Sequence, residues 1–480
     1  MPESWSLQMI KPKTRWVLSE ILLMIGFLSL FFLASNGFDF LIWLVNVPLL
    51  ILVYGKSWKR AAVLSLICSV LAVTLSFTWA IKYSFVVYIA STVVFSTFLF
   101  LFAVSFNLLS KRINNFLRIF IAPFVYLILM IVFSFTLINS YWAQWSMFQP
   151  MMAPLIWIIG SEGLTFMIIL VHSLLAFLIM KFDRKLFIIT VLIALLLLFN
   201  FAYSSYSVPD GKKIKVALLQ GNFDRNWEWR SANAYGAVFN AYENMTLEAS
   251  KQNPDLIIWP EYSIANDILK NDFMFKRLSS LAKKSNSTLI IGTLKWNDSF
   301  YRKERHRYDT ALIIGRNGSL MGSYDSVNPI PFEKSVLKGT EAKVLEIDAG
   351  AIGISLCYEE TQKLAKAYSS EGAELLISLS NNLQLDNTAG LHLISLYSNL
   401  DAAENGKYLV RTTNTGITKI VNPFGKVEQQ LKPYTRGILI GDVYLSNKAT
   451  FYTKYGSIIL ELVLILLGIL FYVKIKKSVK

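Results

Sequence analysis

Hydrophobic and polar positions are arranged on two different periods along this chain. Between about residues 16 and 203 apolar side chains run nearly without a break, interrupted only by short polar stretches. The runs fall near 16–34, 38–54, 61–80, 85–109, 117–138, 154–180 and 186–204, and one more lies near 456–473. Each approaches the ~20 apolar residues that a helix needs to cross hydrocarbon, so the pattern predicts eight membrane spans. No small-residue cleavage site follows the first run and further runs come directly after it, which reads as an anchor rather than a removable leader. From Lys212 the period shortens. Strand-like runs are expected at Ile214–Leu219, Leu256–Trp259, Thr288–Thr293, Thr310–Ile314, Val344–Ile347, Ile352–Leu356, Leu375–Ser380, Tyr408–Thr413 and Ile417–Val421. Unbroken apolar runs such as Leu256-Ile257-Ile258-Trp259 suit strands buried on both faces. Helical stretches separate several of them, at Ser231–Gln252, Asp272–Ser285 and Leu391–Asn405, and Asn422-Pro423-Phe424-Gly425-Lys426 reads as a turn between two late strands. The predicted organisation is an α-helical membrane domain over 1–204, an α/β domain over 205–455 with helices layered on sheet, and an eighth span with its tail over 456–480.

Composition agrees with this division. Of 480 residues, 54% are hydrophobic and 14% aromatic, and the mean hydropathy is +0.45, too apolar for an ordinary soluble chain. The net charge is +15, and the positions of the cations set an expected orientation. Lys11, Lys13 and Arg15 precede the first run; Lys56, Lys59 and Arg60 follow the second; Lys111, Arg112 and Arg118 follow the fourth. Lys181, Arg184 and Lys185 follow the sixth, and Lys474, Lys476, Lys477 and Lys480 end the chain, while the alternate loops hold only Lys82. This alternation places both termini in the cytoplasm and segment 205–455 on the outer face. Much of the basic charge is thereby assigned to lipid headgroups. No basic stripe with interleaved aromatics supports nucleic-acid binding.

Candidate chemistry is concentrated in the α/β segment. Cys357 is the only cysteine there, and Cys68 lies inside an apolar run, so the two are not expected to pair. Cys357 ends the run Ile352-Gly353-Ile354-Ser355-Leu356 and is followed by Tyr358-Glu359. Residues alone allow two readings, a small buried hydrophobe or a nucleophile beside a carboxylate. Trp259-Pro260-Glu261-Tyr262-Ser263 also follows an apolar strand. The proline stops the strand and turns Glu261 outward, where it is either a solvated loop acid or a base able to take a thiol proton. A third point is the proline-punctuated loop Tyr324-Asp325-Ser326-Val327-Asn328-Pro329-Ile330-Pro331-Phe332-Glu333-Lys334. The three histidines, His172, His306 and His392, show no metal-ligand spacing, so neither a metal nor a dissociable cofactor is implied. Glu20, Glu162 and Glu461 in or near the spans would suit a transporter in another setting, but two of them lie near span ends and read as structural or lipid-facing.

Trp259-Pro260-Glu261 and Leu356-Cys357-Tyr358-Glu359, about a hundred residues apart in a domain of this pattern, resemble the nitrilase (carbon–nitrogen hydrolase) superfamily. With the spans before and after, the chain is similar to its membrane-embedded bacterial branch, the apolipoprotein N-acyltransferases. Leu219-Gln220-Gly221-Asn222, Ile159-Gly160-Ser161-Glu162 with Phe166, and Thr413-Asn414-Thr415-Gly416-Ile417-Thr418 add to the likeness. The resemblance implies an α-β-β-α sandwich and a Glu-Lys-Cys triad. Glu261 would be the base and Cys357 the nucleophile, with Tyr358 and Glu359 supporting the thiol and Trp229 at the entrance. It also implies a cell inner-membrane enzyme acting on a phospholipid acyl donor and a diacylated lipoprotein acceptor, through a thioester on Cys357; the chain itself looks self-sufficient, so a monomer is expected.

At the triad lysine the chain departs from the family. Counting back five residues from Pro331-Phe332 gives Ser326, with Asp325 before it. A serine supplies no fixed positive charge for a tetrahedral oxyanion. Lys334, or Lys338, would take the role if the loop register differs, and Glu333, directly after Phe332, would be the family's glutamate after a one-residue deletion. Ser380-Asn381-Asn382-Leu383-Gln384 also lacks the family's aromatic-rich continuation. Two other readings follow, a membrane-anchored amidase and a non-catalytic relative that binds lipid or lipoprotein.

Overall fold

A computed structural model describes residues 12–113, 116–135, 144–223, 232–297, 306–331 and 333–479. The chain divides into two compact units. The first comprises Met1–Phe148, Glu162–Leu196 and Ile459–Lys480; the second comprises Gln149–Ser161 and Leu197–Ile458.

Among the described residues seven helices are long and apolar enough to cross a membrane: Val17–Ser35, Trp58–Ser76, Phe85–Ser110, Phe116–Ser134, Ala153–Met180, Arg184–Tyr206 and Ile458–Lys477. The expected span at 38–54 is the exception. It forms a 3-10 turn, Asp39–Trp43, and a separate seven-residue helix, Val47–Val53. At ~1.5 Å per residue the whole Asp39–Val53 segment falls short of a ~30 Å core. The break has a local cause, because Pro48 at the start of the second helix has no N–H to continue the first. It also has a local remedy. His172 donates from Nε2 to the Ile42 carbonyl at 2.6 Å and accepts at Nδ1 from the Asn46 amide at 3.3 Å. A buried imidazole thus takes up a carbonyl that a continuous helix would have paired. In the same unit, Glu20 is buried and held by Lys56 at 2.6 Å and Arg60 at 2.7 Å.

The second unit contains two six-stranded sheets. In chain order the strands are β1 (Lys212–Gln220), β2 (Leu256–Asp267), β3 (Thr288–Trp296), β4 (Arg307–Ile314), β5 (Leu320–Asp325), β6 (Leu345–Glu346), β7 (Ala351–Leu356), β8 (Leu375–Ser380), β9 (Leu409–Thr413), β10 (Lys419–Val421), β11 (Val427–Gln430) and β12 (Gly437–Leu445). One sheet has the order β12-β1-β2-β3-β4-β5 and the other β11-β10-β9-β8-β7-β6. Strands β1, β2 and β3 run parallel, as do β7, β8 and β9, and the flanking pairs are antiparallel.

Side-chain alternation explains the layering. Ile214, Val216 and Leu218 of β1, with Leu256 and Ile258 of β2, enter one core shared with Ile352, Ile354, Leu375 and Ile377 of the other sheet. Ala217, Leu219, Ile257 and Trp259 point the opposite way, into a second core with Phe239, Tyr242, Leu278 and Leu281. Those last four lie on helices Ala232–Ser250 and Asp272–Ser285. A strand with both faces buried needs apolar residues at every position, which is why these segments read as continuous apolar runs. On β7, Gly353 leaves room for the Tyr368 ring of helix Leu364–Ser370, and an added Cβ would meet that ring at 2.6 Å. The result is the expected α-β-β-α sandwich. Helix boundaries also match closely, with Asp272–Ser285 as expected and Ala389–Asn405 two residues longer at its start. Strands β5 and β12 were not expected. The alternating exposure of β12 and the polar residues of β5 hid both.

Candidate active site

Parallel strands bring their carboxyl ends to the same edge of a sheet, the usual place for a site in an α/β layer. Here β7 ends at Leu356 and the chain turns at once into the 3-10 segment Cys357–Thr361. Cys357 takes φ +51° at that turn, a left-handed conformation that costs a non-glycine residue of order 1 kcal/mol or more and collects at functional sites. Glu359 holds the turn. Its buried carboxylate accepts from the Leu356 N–H at 2.8 Å and the Val327 and Asn328 N–H groups at 2.7 and 3.0 Å. The Tyr324 hydroxyl also donates to it, at 2.9 Å. One side chain therefore fixes both the end of β7 and the loop after β5.

Glu261 arrives from the other sheet. The β2–β3 pairing slips after Trp259, where Pro260 interrupts it, and Glu261 follows, buried at 4% exposure. Its backbone presses against Gly292 of β3, where an added Cβ would lie 2.2 Å from the Pro260 oxygen and 2.6 Å from Glu261 Cα. The Asn381 N–H, just past β8, donates to Glu261 Oε2 at 2.9 Å. The Cys357 thiol lies near enough to the same carboxylate for each to shift the other's ionisation. The structure thus brings together two residues 96 positions apart in sequence, Glu261 and Cys357. Burial pushes the Glu261 carboxyl well above its ordinary range, and the nearby Asp309 and Glu333 carboxylates push it the same way. Burial also raises the thiol, followed by the charges of Glu261, Glu360 and Asp309. The pair resists carrying two negative charges. A carboxylate of raised basicity beside a thiol is suited to take the proton as sulfur becomes a nucleophile.

The remaining expected residues fall in different places. Tyr358 is half-buried beside Cys357. Glu333 is half-buried and lies 3.9 Å from the Arg307 guanidinium. Lys334 and Lys338 are exposed, and among the described residues no hydrogen bond or ion pair joins Lys334 to Glu261 or Cys357. Ser326 is 1% exposed and follows the end of β5, its N–H donating to the Asp309 carbonyl at 2.9 Å. Trp229 lies outside the described residues. The motifs at Leu219–Asn222 and Thr413–Thr418 meet through Asn414. Its carbonyl accepts from the Asn222 N–H at 2.9 Å and its side chain donates to Asn381 Oδ1 at 3.1 Å, next to the Glu261 anchor.

Two clusters were not anticipated. Arg411 forms a bidentate pair with Glu360, both contacts at 2.8 Å and both residues buried. Ser378 and Ser380 donate to the same carboxylate at 2.9 and 3.2 Å. The second cluster is Tyr262, Arg307 and Asp309. The Tyr262 hydroxyl donates to Asp309, and Arg307 Nη2 donates to the Tyr262 oxygen at 3.0 Å. Burial raises the Asp309 carboxyl to about 6, against the lowering effect of Tyr262 and Arg307. The available signal was the charged entry Arg307-Tyr308-Asp309 to an apolar strand.

Residues 215–450 match the carbon–nitrogen hydrolase family. An apolipoprotein N-acyltransferase of Geobacter metallireducens is 25% identical over 484 residues, covering 92% of this chain and 91% of the relative. Another from Photobacterium profundum is 26% identical, covering 66% of this chain and 65% of the relative. Among solved structures, the C. elegans NitFhit protein is 21% identical with a TM-score of 0.41, covering 50% of this chain and 62% of that one. Residues 215–450 thus form a carbon–nitrogen hydrolase domain, and along nearly its full length the chain is similar to a relative named apolipoprotein N-acyltransferase.

Proposed function

We propose that the chain is a thiol-dependent acyltransferase of the bacterial inner membrane. It moves a fatty acyl group from a phospholipid to the N-terminal amine of a diacylglyceryl-cysteine lipoprotein. The observation that carries this reading is the placement of Cys357, in a left-handed turn at the end of β7, near the buried Glu261 carboxylate, in a chain similar over nearly its full length to a relative named for this activity. In the first half-reaction the Cys357 sulfur attacks the ester carbonyl of the phospholipid and its proton passes to Glu261. The tetrahedral intermediate expels the lysophospholipid alkoxide, which takes that proton, and a thioester remains. In the second, the acceptor amine attacks the thioester carbonyl, Glu261 takes the amine proton, and the thiolate leaves and is reprotonated. Glu359 keeps the turn in place, and Tyr358 and Trp229 are assigned to substrate binding by the family resemblance alone. With the basic loops in the cytoplasm, segment 205–455 meets both lipids at the outer leaflet.

Incubating the purified protein with phospholipid and recording its intact mass tests the first half. An acyl-sized increment lost in Cys357→Ala supports the reading, and its absence in the native protein at every lipid composition contradicts it. A second reading rests on Ser326. If its lack of charge has silenced the site, the native protein gives no adduct and Ser326→Lys gives one, and the protein binds lipid or lipoprotein without turnover.

A further inference from the structure

The site holds an unusual excess of negative charge for a thiol enzyme. Glu261, Asp309, Glu333, Glu359 and Glu360 all act on one another or on Cys357, and Ser326 stands where the family places a lysine. Most nearby cations are committed elsewhere. Arg411 is taken by Glu360. Lys419 donates to the Ser395 carbonyl at 2.6 Å and to Asn399 Oδ1 at 2.5 Å. Lys295 pairs with Asp325 and lies over the Tyr308 ring. Lys363 donates to the Tyr452 hydroxyl at 3.0 Å and lies 3.8 Å from Glu404.

Arg307 differs from these in its partners. Its Nε is 3.8 Å from Asp309 and its Nη2 3.9 Å from Glu333, the two carboxylates whose charges bear on Glu261. Its guanidinium also lies 5.4 Å from the ring centre of Tyr262, the residue after Glu261. Only 13% of the Arg307 side chain is exposed, so water screens these interactions weakly. The backbone of Arg307 is held independently of its side chain. Its N–H donates to the Ser335 carbonyl at 3.0 Å and its carbonyl accepts from the Leu337 N–H at 2.7 Å. Those bonds stitch the loop carrying Glu333 to β4 and survive a change of side chain.

We infer that Arg307 supplies the local positive charge that Ser326 cannot, acting through Asp309 and Glu333 to keep the Glu261–Cys357 pair able to ionise. It is a positioning residue, acting through the side chains it meets: Asp309, Glu333, Tyr262 and the Ser335 hydroxyl. The inference deepens the acyl-transfer reading but can be tested apart from it, because thiol ionisation is measurable without substrate. The groups facing the pair are Asp309 from β4, Glu333 from the following loop, Glu360 from the 3-10 turn and the Asn381 N–H past β8. Removing a cation from this set raises the apparent thiol pKa, and removing an anion lowers it.

The experiment measures the iodoacetamide alkylation rate of Cys357 from pH 6 to 10 in the full-length protein carrying Cys68→Ala. Arg307→Met should raise the midpoint by roughly 0.5–1 unit, a slowing of about three- to tenfold at pH 7.5. Arg307→Lys should stay within about twofold of the parent, and Asp309→Asn should lower the midpoint. Superimposable profiles for the parent and Arg307→Met overturn the inference. So does a shift of Arg307→Met and Asp309→Asn in the same direction, which loosened packing alone would produce. Intact mass after incubation with phospholipid, on the same samples, reports separately on acyl transfer. Shifted profiles with no adduct in the parent retain the role of Arg307 and remove the proposed reaction.

Discussion

Cys357 and Glu261 lie together inside a site that opposes ionisation of either. The consequence is a definite pH dependence. Both groups are shifted upward, so the pair is protonated at low pH and reactive thiolate accumulates only as pH rises through the raised pKa. Acylation of Cys357 should therefore climb from pH 6 towards alkaline pH, without the acid plateau of a thiolate paired directly with a cation. A rate that is flat or falling over that range, measured by quenched intact mass, contradicts the geometry. Glu261→Gln keeps the shape and the contact with the Asn381 N–H but cannot accept a proton, and should slow acylation by about 10²–10⁴-fold. The apolar runs before Glu261 and Cys357 were legible as strands, but only the family resemblance joined the two residues. Arg307 and Asp309 were not legible, because two charges at a strand entry look like solvated loop until β2, two strands away in the sheet, places Tyr262 against them.

The turn after β7 shows how small elements hold the reactive group in a strained conformation. Glu359 anchors it on one side and the Glu360–Arg411 pair on the other. Arg411→Met should be strongly destabilising, by about 3–5 kcal/mol, because it leaves Glu360 buried without its partner. The double change Arg411→Met with Glu360→Ile should recover much of that loss, as read by thermal unfolding in detergent. If the single and double variants lose equally, the pair is not the source of the stability. Gly292→Ala tests the other sheet. The added Cβ forces the Glu261 backbone away, so acylation should fall at least tenfold while the sandwich still folds; unchanged acylation would separate Gly292 from the site. The strands that frame this geometry were readable from their apolar runs. The Glu360–Arg411 contact was not, because its partners are 51 residues apart and only the adjacency of β7, β8 and β9 joins them.

For the whole molecule, the hydropathy pattern located seven of the long helices within a few residues of where they are found. It missed the break at 38–54, because Asn46, Pro48 and a distant His172 act together and periodicity averages over all three. The expected orientation places Lys448, exposed in the second unit, outside the cytoplasm and Lys59 inside it. In a Cys68→Ala, Cys357→Ala background, a membrane-impermeant maleimide should label Lys448→Cys in intact inner-membrane spheroplasts and leave Lys59→Cys unlabelled until the membrane is opened. The reverse pattern would remove the outer-leaflet reaction. The reaction itself is tested most directly by the intact mass of the native protein after incubation with phospholipid, followed by addition of a diacylated lipopeptide. Expected is an acyl-sized increment on Cys357, absent in Cys357→Ala, that disappears as the lipopeptide gains the same mass. An unmodified native protein, or an adduct that the lipopeptide does not discharge, would contradict the proposed transfer.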